Sequence, residues 1–220
     1  AKPIKNFTNV RYGLTAATIE EFEVTQDPTN ADPYDDVSQN YIINTSCPAN
    51  SQRMVVQVLE TTSKDLDIFV GLGATPHKLL EKAVSGEPGP FEYMNLINPG
   101  FSGGCWIMVQ NWEASEEGGT DPVKLAYGFV PKSGGQNYTI TGPSGEVTEL
   151  TPFDVKVAWN LGASFDEAEI WYGWFSIGTD TNIKDDIGKV SFNLFKGEAD
   201  PDPDPVLDQF IHFPVIFNEE

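Results

Sequence analysis

Residues 61–71, TTSKDLDIFVG, restrict the fold more than any other stretch of this chain. Leu66, Ile68 and Val70 alternate there with Asp65, Asp67 and Phe69. A period of two puts the three aliphatics on one face, the pattern of a β-strand with one buried side. Two acids are thereby planted on a strand otherwise built for a sandwich core. Residues 92–112, EYMNLINPGFSGGCWIMVQNW, add a turn at Asn98-Pro99-Gly100 and Gly103-Gly104, which hands over to the nearly continuous apolar run Cys105–Gln110. That run reads as a second core strand.

The same alternation of short apolar runs and turn residues continues along the chain. Twenty Gly and sixteen Pro fall between the runs rather than inside them, which predicts many turns and therefore many strands. Strands are expected at 7–13, 39–43, 53–60, 65–70, 91–96, 105–111 and 123–129. A second series follows at 138–142, 146–150, 153–160, 169–177 and 188–195. Only Pro76–Val84, PHKLLEKAV, spaces its apolar residues as a helix would, for at most two turns. The fold class is thus all-β, as antiparallel sandwiches. The polar, Gly-containing spacer 131–136 divides the chain into a sandwich domain at 1–131 and a smaller immunoglobulin-like sandwich at 137–196. Asp-Pro repeats at 197–205 form a charged, extended linker. An apolar strand at 206–220 ends the chain.

Charge excludes several partners. The net charge is −20, with thirteen Lys and Arg scattered singly, so nucleic-acid backbones and anionic membranes are repelled. No apolar run reaches 18 residues, so no helical membrane span is expected. The first residues, AKPIKNFTNV, contain no apolar signal core; export implies a signal already removed. Cys47 and Cys105 are the only cysteines, without a CxxC or Cys/His cluster, and read as one disulfide formed in an oxidising compartment.

The acids gather at Glu20–Glu23, Asp27–Asp36, Asp180–Asp186 and Glu198–Asp208, all expected to be loops. Asp27, Asn30, Asp32, Asp35 and Asp36 sit in a Pro-bent loop where oxygen ligands can converge on calcium. Asp65 and Asp67, on one face of a strand, are a second candidate calcium set. Residues 180–186, with Asp180, Asn182, Asp185 and Asp186, are a third. Gly100-Phe101-Ser102-Gly103-Gly104 fits the G-x-S-x-G pattern of a nucleophile elbow but precedes a strand instead of a helix, so a glycine turn explains it better. His77 and His212, the only histidines, suggest no zinc site and no assured base. No catalytic residue is therefore assigned. In Trp171-Tyr172-Gly173-Trp174-Phe175, Tyr172 and Trp174 share a face that can present an aromatic platform to a sugar or protein. Three glycosylation sequons begin at Asn6, Asn44 and Asn137, where chance gives about two. Phe210, Ile211, Phe213, Val215, Ile216 and Phe217 form an apolar tail that must bury itself, against its own body or against another copy.

The acid-rich strand at 65–70, the Glu-led strand at 92–96, the Pro-Gly turn and the aromatic strand at 105–111 come in an order that resembles the bacterial pre-peptidase C-terminal (PPC) domain, from about Asn40 to Val130. Residues 137–194 look like the small domain that follows PPC modules in some secreted subtilisin-like proteases, through Thr151–Trp159, Trp171-Tyr172-Gly173, Ile177–Asp180 and Asp186–Gly188. The resemblance implies a PPC-like jelly roll and a non-catalytic, extracellular accessory module, often calcium-binding, that engages a protein or polysaccharide. The alternative expectation is a subunit of an extracellular filament or surface assembly. Its joint would be the tail, or the N-terminal strand Phe7–Tyr12, donated to the next copy.

Overall fold

The computed structural model describes residues 2–161, 168–196 and the backbone of 210–215. Strands β1 (Thr8–Ala16) and β2 (Thr18–Thr25) come first, followed by β3 (Tyr41–Cys47), β4 (Ser51–Thr61) and β5 (Asp65–Leu72). Next are β6 (Glu81–Ser85), β7 (Tyr93–Ile97), β8 (Gly103–Glu113) and β9 (Thr120–Pro131). The second half holds β10 (Tyr138–Thr141), β11 (Phe153–Trp159), β12 (Ile170–Gly178), β13 (Gly188–Phe195) and β14 (Phe210–Val215). The chain is all-β, and every ladder between named strands is antiparallel.

Two compact units share these strands. One comprises Ala17–Pro131; the other joins Ala1–Ala16 to Lys132–Glu220. The first unit has two four-stranded sheets, ordered β2-β9-β4-β7 and β3-β8-β5-β6. Counted from one to eight within the unit, these orders are 1-8-3-6 and 2-7-4-5, the double-sheet arrangement of a jelly roll. Alternation supplies its core. Leu66, Ile68 and Val70 of β5 face Met54, Val56 and Val58 of β4, with Ile107 and Val109 of β8 beside them. Cys47 and Cys105 are joined in a disulfide with a Cα–Cα distance of 5.7 Å, tying β3 to β8.

The second unit has two three-stranded sheets among the described residues, β1-β12-β13 and β10-β11-β14. Here the expected domain 1–131 is corrected at its start, because residues 1–16 belong with the later part of the chain. The reason is sheet width. Residues 137–196 provide only β10 to β13, two strands for each sheet, and a two-stranded ribbon is at best marginal in water. β1 widens one sheet by pairing with β12, from Thr8↔Gly178 to Ala16↔Trp171. β14 widens the other by pairing with β11, from Phe153↔Val215 to Ala158↔Phe210. The core between them is built from Leu14, Tyr138, Phe153, Val155, Val157, Trp171, Phe175 and Phe192, with Ile4 closing one end.

Three local expectations are also corrected. Pro76–Val84 is not a helix: a 3-10 turn at Lys78–Leu80 leads straight into β6, because Ala83 and Val84 pair with Val70 and Phe69. Tertiary pairing of a strand edge outweighs two turns of weak helical spacing. Residues 146–150 form no strand; Val147 makes an isolated bridge to Ile4, and Leu150 adopts a φ of 60°. Glu20–Glu23 lie in β2 rather than a loop. Val24 turns to the core while Glu21 and Glu23 stay exposed, and charges are a common protection for a strand at a sheet margin.

Candidate functional site

The acidic loop after β2 is a cover for the sheet rather than an open cradle. Phe69, Trp106 and Met108 project from the outer face of the β5–β8 pair, and Tyr34, Val37 and Ile42 pack over them. A Cβ at Gly71 would stand 2.0 Å from the Trp106 ring, so only glycine lets the indole lie flat there. Buried donors and acceptors then fasten the loop. Gln110 Nε2 donates to Asp27 Oδ2 (2.6 Å) and to the Asn30 carbonyl (3.0 Å), and Asn30 Nδ2 donates to the Trp112 carbonyl (2.9 Å). The Tyr34 hydroxyl donates to Glu81 Oε2 at 2.7 Å, and Lys78, which lies over the Tyr34 ring, pairs with the same carboxylate. Burial, then Glu81, pushes the Tyr34 phenol up.

The five candidate ligands in that loop serve these local bonds. Asp27 Oδ1 accepts from the Thr29 amide and Asp32 Oδ1 from the Tyr34 amide, while the one Thr29 hydroxyl hydrogen is shared between Asp35 Oδ1 (3.0 Å) and Asp27 Oδ1 (3.2 Å). Asp36 accepts from the Ser38 amide and hydroxyl and from Gln39, and those donors hold its carboxyl below the ordinary range. The loop at 180–186 works alike. Asp186 accepts from the Thr179 amide and hydroxyl and pairs with Lys2, while Asp180 accepts from the Thr181 hydroxyl and the Asn182 amide. Among the described residues, no three His, Cys, Asp or Glu side chains converge as a metal-holding group.

Asp65 and Asp67 lie within electrostatic reach of a third carboxylate, that of Glu92 immediately before β7, without the three meeting as a metal-holding group. Asp65 Oδ1 accepts from the Gly89 amide (3.0 Å), and the Leu66 amide donates back to the Gly89 carbonyl (3.2 Å), so the 86–90 loop is buttoned onto β5. Gly86 lies against Asp67; a Cβ there would meet Asp67 Oδ1 at 2.9 Å. The Ser85 hydroxyl donates to Glu92, whose carbonyl accepts from the Val58 amide. The Asp67 carboxyl is pushed up to about 6, first by burial and then by the charges of Asp65 and Glu92. Glu92 is raised as well, chiefly by burial, with Asp65 and Glu87 adding and the Ser85 bond partly offsetting it.

The strands flanking this cluster are the margins of their sheets, β6 in one and β7 in the other. Large apolar side chains stay in solvent along the same stretch: Leu79, Leu80, Val84, Phe91, Tyr93 and Ile97. Phe91, Tyr93 and Ile97 keep 63%, 47% and 41% of their surface, while Met94 turns into the core. Arg53 of β4, itself buried, donates to Asn95 Oδ1 (2.7 Å) and to the Tyr93 hydroxyl (2.9 Å), which orders the outward face of β7. Sequence reasoning found the strand but not its exposure. Both faces of Tyr-Met-Asn-Leu-Ile read as apolar, and nothing local marks a strand as marginal.

Other candidates are placed differently from expectation. Tyr172 and Trp174 are buried, and Tyr12 of β1 stacks on Trp174 at 5.3 Å, so they are not presented as a platform. The G-x-S-x-G segment is a turn between β7 and β8 with positive φ at Gly100 (68°) and Gly103 (90°), and Phe101 plugs the core. His77 Nδ1 accepts from the Leu79 amide. In the tail, Phe210, Ile211, Phe213 and Val215 lie on β14, paired with β11 of the same chain; Ile216 and Phe217 lie outside the described residues. One buried group escaped the sequence altogether. Asp121 accepts from the Thr62 hydroxyl (2.7 Å), Asn111 Nδ2 (3.0 Å) and the Ser115 amide (3.0 Å). Burial alone would raise its carboxyl, but these donors outweigh burial and hold it below the ordinary range.

No protein-family model, curated protein or solved structure matches this chain.

Proposed function

We propose that this protein is a non-catalytic extracellular accessory module that binds a protein or polysaccharide through the β6–β7 margin of its jelly roll. One observation carries the reading: six exposed large hydrophobics, Leu79, Leu80, Val84, Phe91, Tyr93 and Ile97, fall within residues 79–97. Apolar groups gathered on one margin, with polar neighbours, are what an interaction surface requires. The Cys47–Cys105 disulfide favours an oxidising compartment, and the acidic surface favours solubility outside the cell. The likeness to PPC domains of secreted proteases belongs to the same proposal. Calcium assistance, expected from the acid-rich segments and from the resemblance, belongs to the same proposal, with no group of three His, Cys, Asp or Glu side chains placed to hold a metal among the described residues.

The test is co-sedimentation of the chain with insoluble protein (gelatin, fibrin) and polysaccharide (chitin, cellulose), with the supernatants assayed for released peptides and sugars. Retention without release is the expected result. Release above buffer would make the protein a hydrolase, and retention on none of the four would remove the binding role.

A second reading, an assembly subunit, is favoured by the position of β14 at the margin of its sheet, after the Asp-Pro repeats. The β11–β14 ladder can be made within one copy or between two. Light scattering of the full chain and of a chain ending at Pro205 separates these: multimers that vanish on truncation support assembly, and monomers in both exclude it.

A further inference from the structure

The outer face of β3, β8 and β5, beneath the acidic loop, carries an apolar row made by Ile42, Met108 and Phe69. Side chains two residues apart on a strand share a face, so Asn40, Gln110 and Asp67 make a polar row beside it. Asp67 pairs with Gln110 across the β5–β8 ladder. Asn40, extended at φ −101° and ψ 157°, stands one residue before the Tyr41↔Val109 pair, on the other side of Gln110. Both carboxamides are buried, Gln110 at 0% and Asn40 at 8% exposure, and each is engaged only through its nitrogen. Gln110 Nε2 donates to Asp27 and to the Asn30 carbonyl, and Asn40 Nδ2 to the Pro33 carbonyl (2.9 Å). Those partners are all acceptors, which fixes the orientation of both amides, since turning either over would set oxygen against oxygen. Gln110 Oε1 and Asn40 Oδ1 have no hydrogen-bond partner among the described residues. Buried acceptors are rarely left so, and two in one row point to a shared ligand.

We propose that Gln110 Oε1 and Asn40 Oδ1 ligate a monovalent cation beneath the acidic loop, with Asp27 and Asp67 supplying the countercharge. Asp27, 2% exposed, meets the nitrogen end of Gln110, and half-buried Asp67 faces it across the ladder. Among the described residues no Lys, Arg or His pairs with either acid. A water would satisfy the two oxygens but leave that charge uncompensated; a cation answers both. The donor set decides its valence. Calcium takes six to eight oxygens, several of them carboxylates. Here Asp27 is already taken up by Gln110 and the Thr29 amide, and Asp67 leans over Gly86, so the oxygens turned to the ion are neutral carboxamides. Neutral carbonyl dipoles are the ligands that monovalent ions accept. Because the nitrogens of the same two amides hold the loop, the ion couples the loop's attachment to the sodium concentration outside.

Such an ion site is independent of the binding role, and either can fail alone. The test takes the full chain at pH 7.5 in sodium chloride and in choline chloride of equal ionic strength, which screens charge alike but cannot enter. Sodium is expected to move the side-chain amide NMR signals of Gln110 and Asn40, and at about 200 mM to raise Tm by about 3 °C over choline. Asp67→Asn, which removes countercharge, should at least halve that difference, and Asn40→Ala, which removes a ligand, should abolish it. Asp154→Asn, an exposed acid of the other unit, deletes the same charge and should leave it whole. Because the readout is the gap between two salts, a change in overall stability does not imitate it. No gap between sodium and choline would overturn the site and leave the two oxygens to water. A gap that survives both Asp67→Asn and Asn40→Ala, or shifts confined to other signals, would overturn it as well. Movement of the same two signals by millimolar calcium, without a response to sodium, would replace the monovalent ion with a divalent one.

Discussion

Asp67 of β5 stands directly opposite Gln110 of β8, and the buried Gln110 carboxamide oxygen has no hydrogen-bond partner among the described residues. Its nitrogen is committed to Asp27 and Asn30, so the oxygen needs a donor from elsewhere, and an ionised Asp67 has none to give. Two groups that share one face of a ladder thus share one deficit.

Replacing Asp67 with Asn should stabilise the protein at neutral pH. The folded carboxyl titrates at about 6, above the value of an unfolded aspartate, so the native state binds the extra proton and loses stability as pH rises from about 4 through 6. Asp67→Asn abolishes that loss and supplies an amide donor near Gln110. Asp67 is only half-buried, which moderates the effect: a gain on the order of 2 °C in Tm at pH 7.5, shrinking toward zero at pH 4, is expected from thermal melts. An equal shift at both pH values would contradict it.

Asp121 works with the opposite sign. Its donors hold the folded carboxyl low, so its contribution is present above the unfolded-state value and disappears as pH falls through the folded one. Asp121→Ala would strand Thr62, Asn111 and the Ser115 amide in the interior. A loss of about 3 kcal/mol in urea unfolding at pH 7, smaller at pH 3, is expected, with Asp121→Asn milder. A neutral Asp121→Ala would show that water replaces those bonds.

Chelation should leave the melting temperature unchanged. The carboxylates of Asp27, Asp32, Asp35 and Asp36 already accept from neighbouring amides, hydroxyls and carboxamides, so order in the loop does not wait on an ion. Differential scanning calorimetry with millimolar calcium against excess EDTA checks this, and a clear drop in EDTA would restore the calcium site.

Reducing the Cys47–Cys105 bond should cost about 4 kcal/mol in the chain-entropy account of a closed loop of this length. Guanidinium unfolding of the oxidised chain and of a Cys47→Ala/Cys105→Ala chain measures it directly. Because both cysteines lie in the first unit, the loss should appear in that unit's transition and spare the other.

The strand character of this chain was legible residue by residue. Leu66, Ile68 and Val70, like Phe153, Val155 and Val157, alternate because adjacent side chains on a strand must point to opposite faces, and that rule acts over a few residues. The pairing of Cys47 with Cys105 followed from there being only these two cysteines, with no metal-binding spacing to claim them. Tertiary structure alone decided which strands became neighbours. β1 pairs with β12, more than a hundred residues further along the chain, since two-stranded sheets there lacked the width to bury a core. It also decided which acids met. Asp65 and Glu92 come to influence Asp67 because the segment after β6 folds back onto β5 through the Gly89 amide and Asp65, whereas the richer set at 27–36 is drawn into covering Trp106. The exposure of β7 has the same origin: a strand is marginal only by virtue of what pairs beside it, and that depends on contacts made across the whole unit rather than on its own five residues.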